Sequence, residues 1–141
     1  MVIRYFNFLP KDAIDIRKAV FVKEQGFVHE FDDVDDDAMH MICYEDKNPV
    51  ATCRVFYNTK LESYVIGRVA VYKEYRGKSY GRIMIENAEK YIMKHGGNGV
   101  SLASEDTALG FYKKQGYQEI GRTYMEDGCL HLWVSKKLEK N

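Results

Sequence analysis

The sequence predicts a mixed α/β domain, and three observations carry that prediction. Runs of strand length rich in Val, Ile and aromatic residues recur along the chain between turn residues. One long segment from Tyr80 repeats apolar residues at helical spacing. The elements follow the order β-α-loop-β-β-β-α-β-α-β-β, neither all helix nor all sheet. At 141 residues the chain has the size of a single domain, expected over 1–141, and can bury a core without disulfides or metal.

Each element has its own justification. Val2–Phe8 reads as a first strand. Pro10 suits the first turn of a helix, where a missing N–H costs little, and Ile14, Ile16, Ala19, Val20 and Phe21 give Lys11–Glu24 an apolar face. Gly26 ends it. The stretch HEFDDVDDD then carries six carboxylates, Glu30, Asp32, Asp33, Asp35, Asp36 and Asp37. Such crowding disfavours burial, so a solvated loop is expected; its charge also suits attraction of a cationic amine. His40–Glu45 and Val50–Asn58 read as strands joined by DKNP, with Asn48 and Pro49 in the turn. Leu61–Tyr72 is a further strand. The long helix sets Tyr80, Ile83, Met84, Ala88, Tyr91 and Ile92 on one face, and HGGNG stops it. Gly99–Glu105 is a short strand. A short helix follows from Asp106, its expected cap, to Gly116. Tyr117–Glu126 and Cys129–Lys136 close the fold across Asp127-Gly128, and KLEKN is expected to fray.

Composition narrows the function. Lys plus Arg and Asp plus Glu are equal, at 21 each, which argues against nucleic-acid binding. Cys43, Cys53 and Cys129 form no CxxC pair, and a reducing, cytoplasmic setting is expected. Histidines and cysteines stand singly, so no metal is expected. No apolar run approaches the roughly 18 residues of a membrane helix, and no signal peptide is recognisable.

The informative stretch is YRGKSYG, Tyr75–Gly81, between the Val-rich strand and the long helix. A glycine turn entering a helix aims unpaired backbone N–H groups at one point, where the helix end favours an anion. Arg76, Lys78 and Arg82 add positive charge, and Gly77 and Gly81 leave room for main-chain contact. A phosphate or pyrophosphate is the ligand these features suit. Neither the GxxxxGK[ST] loop nor an opening GxGxxG is present.

The segment IGRVAVYKEYRGKSYGRIMI resembles motif A of the GCN5-related N-acetyltransferase superfamily, whose Arg- and Gly-rich turn cradles the pyrophosphate of acetyl-CoA. The resemblance implies a GNAT-like, mostly antiparallel sheet of about six or seven strands flanked by helices. It assigns Arg76, Gly77, Lys78, Ser79, Tyr80, Gly81 and Arg82 to the turn, Ser79 standing where the family usually has glycine. It implies that Val69, Ala70 and Val71 pair with the pantetheine arm and donate a backbone N–H to the oxyanion. ALGFYKKQGY resembles motif B and brings Ala108, Phe111 and Tyr112 to the cofactor; Ser104, Glu105 and Asp106 stand where the family often has asparagine. VFVKEQG, His40, VATCRV and EDGCLH together are similar to a small bacterial branch of uncharacterised acetyltransferases.

The resemblance implies an acetyl-CoA-dependent transfer to a primary amine of a small molecule. The alternatives are an acyl-CoA-binding or sensor module and a protein lysine or N-terminal acetyltransferase. A homodimer is common in the family. Tyr112 is the expected general acid toward the leaving thiolate. Candidates for the general base are Glu24, His40 and His131. Arg54 and Arg68, charges within strand patterns, are either paired structurally or, for Arg68, turned to the acceptor.

Overall fold

The computed structural model describes residues 1–139. The strands are β1 (Val2–Phe6), β2 (Met39–Glu45), β3 (Asn48–Asn58), β4 (Ser63–Val71), β5 (Gly99–Glu105), β6 (Gln118–Glu126) and β7 (Cys129–Lys137). The helices are α1 (Lys11–Arg17), α2 (Val34–Asp37), α3 (Tyr80–Lys94) and α4 (Leu109–Lys114). The strands form a seven-stranded sheet in the order β1-β2-β3-β4-β5-β7-β6. The β4–β5 pair is parallel, while β1–β2, β2–β3, β5–β7 and β6–β7 are antiparallel. The expected mixed, mostly antiparallel sheet with flanking helices is therefore present.

The chain divides into two compact units, residues 1–56 with 66–88 and residues 57–65 with 89–141. In the first, Ala13, Ile16 and Val20 of the first helix bury against Ile42 of β2 and Ala70 of β4, with Phe6, Leu9, Phe21, Tyr44 and Tyr72 around them. Positions 13, 16 and 20 share one helical face, which is why this helix forms against the sheet rather than alone. In the second, Val65, Ile92, Val100, Leu102, Tyr117 and Val134 are buried. The buried Tyr117 hydroxyl donates to Glu89 at 2.7 Å, and Lys136 donates to the same carboxylate at 3.0 Å. Gly97 has no substitute there: a Cβ would stand 2.4 Å from the Ile92 side chain and 2.8 Å from Tyr64.

Several expectations change in detail. The first helix is α-helical only to Arg17 and continues as a π-helical segment over Lys18–Glu24, before Gly26 (φ 75°) turns the chain. The turn after β2 is Asp46-Lys47, both with positive φ (49° and 69°). Two such residues match the twist of a tight hairpin. Asn48 and Pro49 therefore lie inside β3, Pro49 opposite Tyr44 at a register irregularity where a lost donor is tolerated. Asp106 makes no side-chain cap; a 3-10 turn over Asp106–Ala108 leads into α4 instead. Leu138 does not fray: it is buried, and its N–H donates to the Asn98 carbonyl at 2.9 Å. Lys137 of the same stretch ends β7, Glu139 is exposed, and Lys140 and Asn141 lie outside the described residues. No described helix is long and apolar enough to cross a membrane.

Candidate active site

The turn between β4 and α3 has the backbone its sequence suggests. Gly77 and Ser79 both take left-handed conformations, φ 80° and 67°. The Ser79 carbonyl accepts the Ile83 N–H at 3.0 Å. Tyr80, Gly81 and Arg82 thus occupy the first turn of α3, whose N–H groups precede the intrahelical ladder. Gly77, Lys78 and Ser79 are exposed, and Lys78 reaches over the Tyr75 ring at 5.7 Å. Arg82 lies 3.7 Å from Glu86 one turn on.

Arg76 is differently placed. Its two terminal nitrogens each donate to one oxygen of Glu24 at 2.8 Å, and its Nε donates to the Val71 carbonyl at 3.1 Å. The Arg76 hydrogen bonds, aided by its charge, hold the Glu24 carboxyl below its usual range. A proposed base is here fastened to a proposed phosphate ligand.

The acidic stretch is not simply solvated, which corrects the expectation. Glu30 and Asp35 are buried. Arg17, also buried, donates to Glu30 at 2.8 Å and to both Asp35 oxygens at 2.7 and 3.0 Å. Arg54 donates to Asp32 at 2.7 Å and Asp35 at 2.9 Å. Arg68 lies 2.9 Å from the Glu30 carboxylate and 3.3 Å from Asp32. Three guanidiniums thus neutralise three carboxylates, and charge enters the interior as pairs. Asp33, Asp36 and Asp37 stay exposed, as expected of the stretch. Arg54 and Arg68 are the paired structural arginines of the two readings left open. Sequence reasoning missed Arg17, although it falls on the buried helical face beside Ala13, Ile16 and Val20, where a charge requires partners. Arg68 itself has φ 54° within β4. This left-handed residue, pinned by Glu30 and Asp32, immediately precedes Val69–Val71.

Burial alone would raise Asp35, but the hydrogen bonds and charge of Arg17, then Arg54, hold it far below the ordinary carboxylate range. Glu30 goes the other way: its burial outweighs Arg68 and Arg17 and pushes it up. His40 is buried against this network, its Nε2 2.9 Å from the Asp35 carbonyl oxygen, and burial lowers its pKa.

In the second unit, Tyr112 is buried on α4 and packs edge-on to Phe111 (5.0 Å) and Tyr117 (6.0 Å). Phe111 is 40% exposed while Tyr112 is buried, so the two adjacent aromatics differ in burial although their rings touch. Ala108 closes the 3-10 turn before α4. His131 on β7 is buried and stacks on Tyr124, rings 4.8 Å apart and 7° from parallel.

Comparison with known proteins agrees with this architecture. A family model for the acetyltransferase (GNAT) domain matches residues 12–138. The chain belongs to the GNAT acetyltransferase family, and acetyl transfer is the reaction class that membership assigns. It is 32% identical over 138 residues to the uncharacterised protein YyaT of Bacillus subtilis, covering 92% of this chain and 90% of that protein. It is 31% identical over 129 residues to the uncharacterised N-acetyltransferase YjcF of the same organism, covering 89% and 91%. Among solved structures, a candidate N-acetyltransferase from Lactobacillus plantarum superposes with TM-score 0.87 at 29% identity, over 98% of each chain. An aminoglycoside 6'-N-acetyltransferase crystallised with coenzyme A shares the fold at TM-score 0.76 and 12% identity, over 100% of this chain and 99% of its own.

Proposed function

We propose that this chain is an acetyl-CoA-dependent N-acetyltransferase that acetylates a primary amine on a small molecule by direct attack on the thioester. The observation that carries this reading is the exposed turn from Arg76 to Arg82. Left-handed residues at 77 and 79 bring the chain into the first turn of α3 with basic side chains on both sides. In this reading the amides of Lys78–Arg82 receive the pyrophosphate, with Arg76, Lys78 and Arg82 adding charge. The backbone of Val69, Ala70 and Val71 takes the pantetheine arm and supplies the oxyanion donor. Ala108, Phe111 and Tyr112 complete the cofactor's surroundings, a role carried over from the resemblance of ALGFYKKQGY to motif B.

The reaction then needs little covalent help. The neutral amine attacks the carbonyl carbon, the C–S bond breaks as the thiolate takes the phenolic proton of Tyr112, and the new amide nitrogen gives its extra proton to solvent, from which the phenolate is reprotonated. Neither Glu24 nor His40 suits the base. Arg76 occupies both Glu24 oxygens and lowers the carboxylate's basicity, and His40 is sealed at 1% exposure against the Asp35 carbonyl. In our reading the amine loses its proton to solvent before attack, and His131 is not required either. The rate should then follow the pKa of each amine rather than that of a histidine.

The test is release of free thiol from acetyl-CoA with a panel of primary amines. Release that depends on the amine is expected. Coenzyme A binding with no thiol release from any amine would replace this reading with an acyl-CoA-binding module, and preference for basic peptides over free amines would move the acceptor to proteins.

A further inference from the structure

We propose that Glu105, Cys129 and His131 form a site for a thiophilic divalent cation of the Zn²⁺ class, which the acyl-transfer chemistry does not use. All three lie in the second compact unit. Glu105, the last residue of β5, pairs directly with His131 of β7. Cys129 precedes His131 by two residues on the same strand, so both side chains leave one face of the sheet. One ligand atom from each of the three lies within 4.8 Å of the other two. Around a tetrahedral Zn²⁺, with bonds of about 2.0–2.3 Å, donors stand roughly 3.3–3.7 Å apart. Closing the set therefore needs side-chain movement of about 1 Å and no change in strand pairing.

The surroundings favour a cation. Glu126 of β6 pairs opposite Cys129. Burial raises the Cys129 thiol, and the negative charges of Glu105, Asp106 and Glu126 raise it further. A divalent ion reverses this logic, since it stabilises the thiolate and neutralises the crowded carboxylates. The imidazole is also prepared. Nδ1 of His131 lies 3.1 Å from the Cys129 carbonyl oxygen. Stacking on Tyr124 fixes the ring plane. One sulfur, one nitrogen and one carboxylate oxygen select a borderline metal over Ca²⁺ or Mg²⁺, and three protein ligands leave a fourth position for water. Binding at neutral pH expels the Cys129 thiol proton, one per cation.

The tag-free 141-residue chain, stripped of metal with a chelator, is titrated with ZnCl₂ by calorimetry and with CoCl₂ by absorption. The expected result is one cation per chain, about one proton released, and a thiolate-to-Co²⁺ charge-transfer band. Cys129→Ser should abolish the band, and Glu105→Gln and His131→Gln should each weaken Zn²⁺ binding by at least about 10–100-fold. Cys53→Ser serves as the control and should keep the band. Thermal unfolding of each variant without metal establishes that it folds. No band in the parent chain, a band that survives Cys129→Ser, or Zn²⁺ affinity indifferent to both Glu105→Gln and His131→Gln would overturn the proposal.

Discussion

Ser79 holds a conformation (φ 67°) that costs an L-residue about 1–2 kcal/mol. Glycine adopts it freely but loses more entropy on folding. Ser79→Gly should therefore stabilise the chain by about 0.5–1 kcal/mol, seen as a higher urea midpoint with unchanged slope. The GKSYG pattern pointed to a special backbone at this turn, although serine in place of glycine hid how far it departs from ordinary φ. Three residues earlier, Arg76 is bound bidentately to Glu24. In the proposed reading a pyrophosphate competes with that carboxylate for Arg76. Glu24→Gln should then tighten coenzyme A binding about two- to fivefold, the scale of an exposed ion pair, while a general base at this position would instead show up as a collapse in turnover. The sequence suggested both residues as functional, but 52 positions separate them, and no local pattern reveals a pair of that span.

At the scale of elements, the acidic stretch and α2 are tied down by Arg17, Arg54 and Arg68. Asp35 sits at the centre, bonded to two guanidiniums. Its folded pKa lies below the unfolded one, so its contribution is fully present above about pH 4. It is lost as pH falls toward the folded value. Asp32 is also lowered and acts in the same direction, whereas Glu30, raised by burial, works against folding near neutrality and recovers on acidification. The two Asp shifts should prevail because Asp35 bonds both Arg17 and Arg54. Asp35→Asn should cost about 3–5 kcal/mol at pH 7. The gap to the parent chain should narrow as the pH falls below 4, measured by thermal unfolding across pH. A constant gap would remove the electrostatic explanation. Element types were readable from periodicity, as β5 and the Asp127-Gly128 hairpin show. The misplacement of Pro49 came from giving the turn to Asn48-Pro49, when two non-glycine residues, Asp46 and Lys47, take the left-handed turn. The burial of Glu30 and Asp35 was hidden because local charge density says nothing about arginines supplied from elsewhere in the chain.

For the whole molecule, the mixed, mostly antiparallel sheet was legible because several motifs occurred in the order a known fold requires, and the family match over residues 12–138 confirms the class; the order of strands within the sheet rests on long-range pairing that no single segment shows. The left-handed backbone of the turn proposed for the cofactor was legible because its glycine spacing reflects backbone demands. The base and acceptor were not, since they depend on which side chains converge rather than on what any segment is. In the proposed mechanism Tyr112 is the acid that protonates the leaving thiolate. Tyr112→Phe should lower kcat about 10²-fold while leaving coenzyme A affinity within about twofold, checked by steady-state kinetics beside calorimetry. The most direct measurement of the central claim is amide NMR of the labelled chain during a coenzyme A titration. Saturable binding is expected, with the largest shifts at the amides of Lys78, Ser79, Tyr80, Gly81 and Arg82. Saturable binding that leaves these five amides unmoved, or no binding at millimolar coenzyme A, would contradict it.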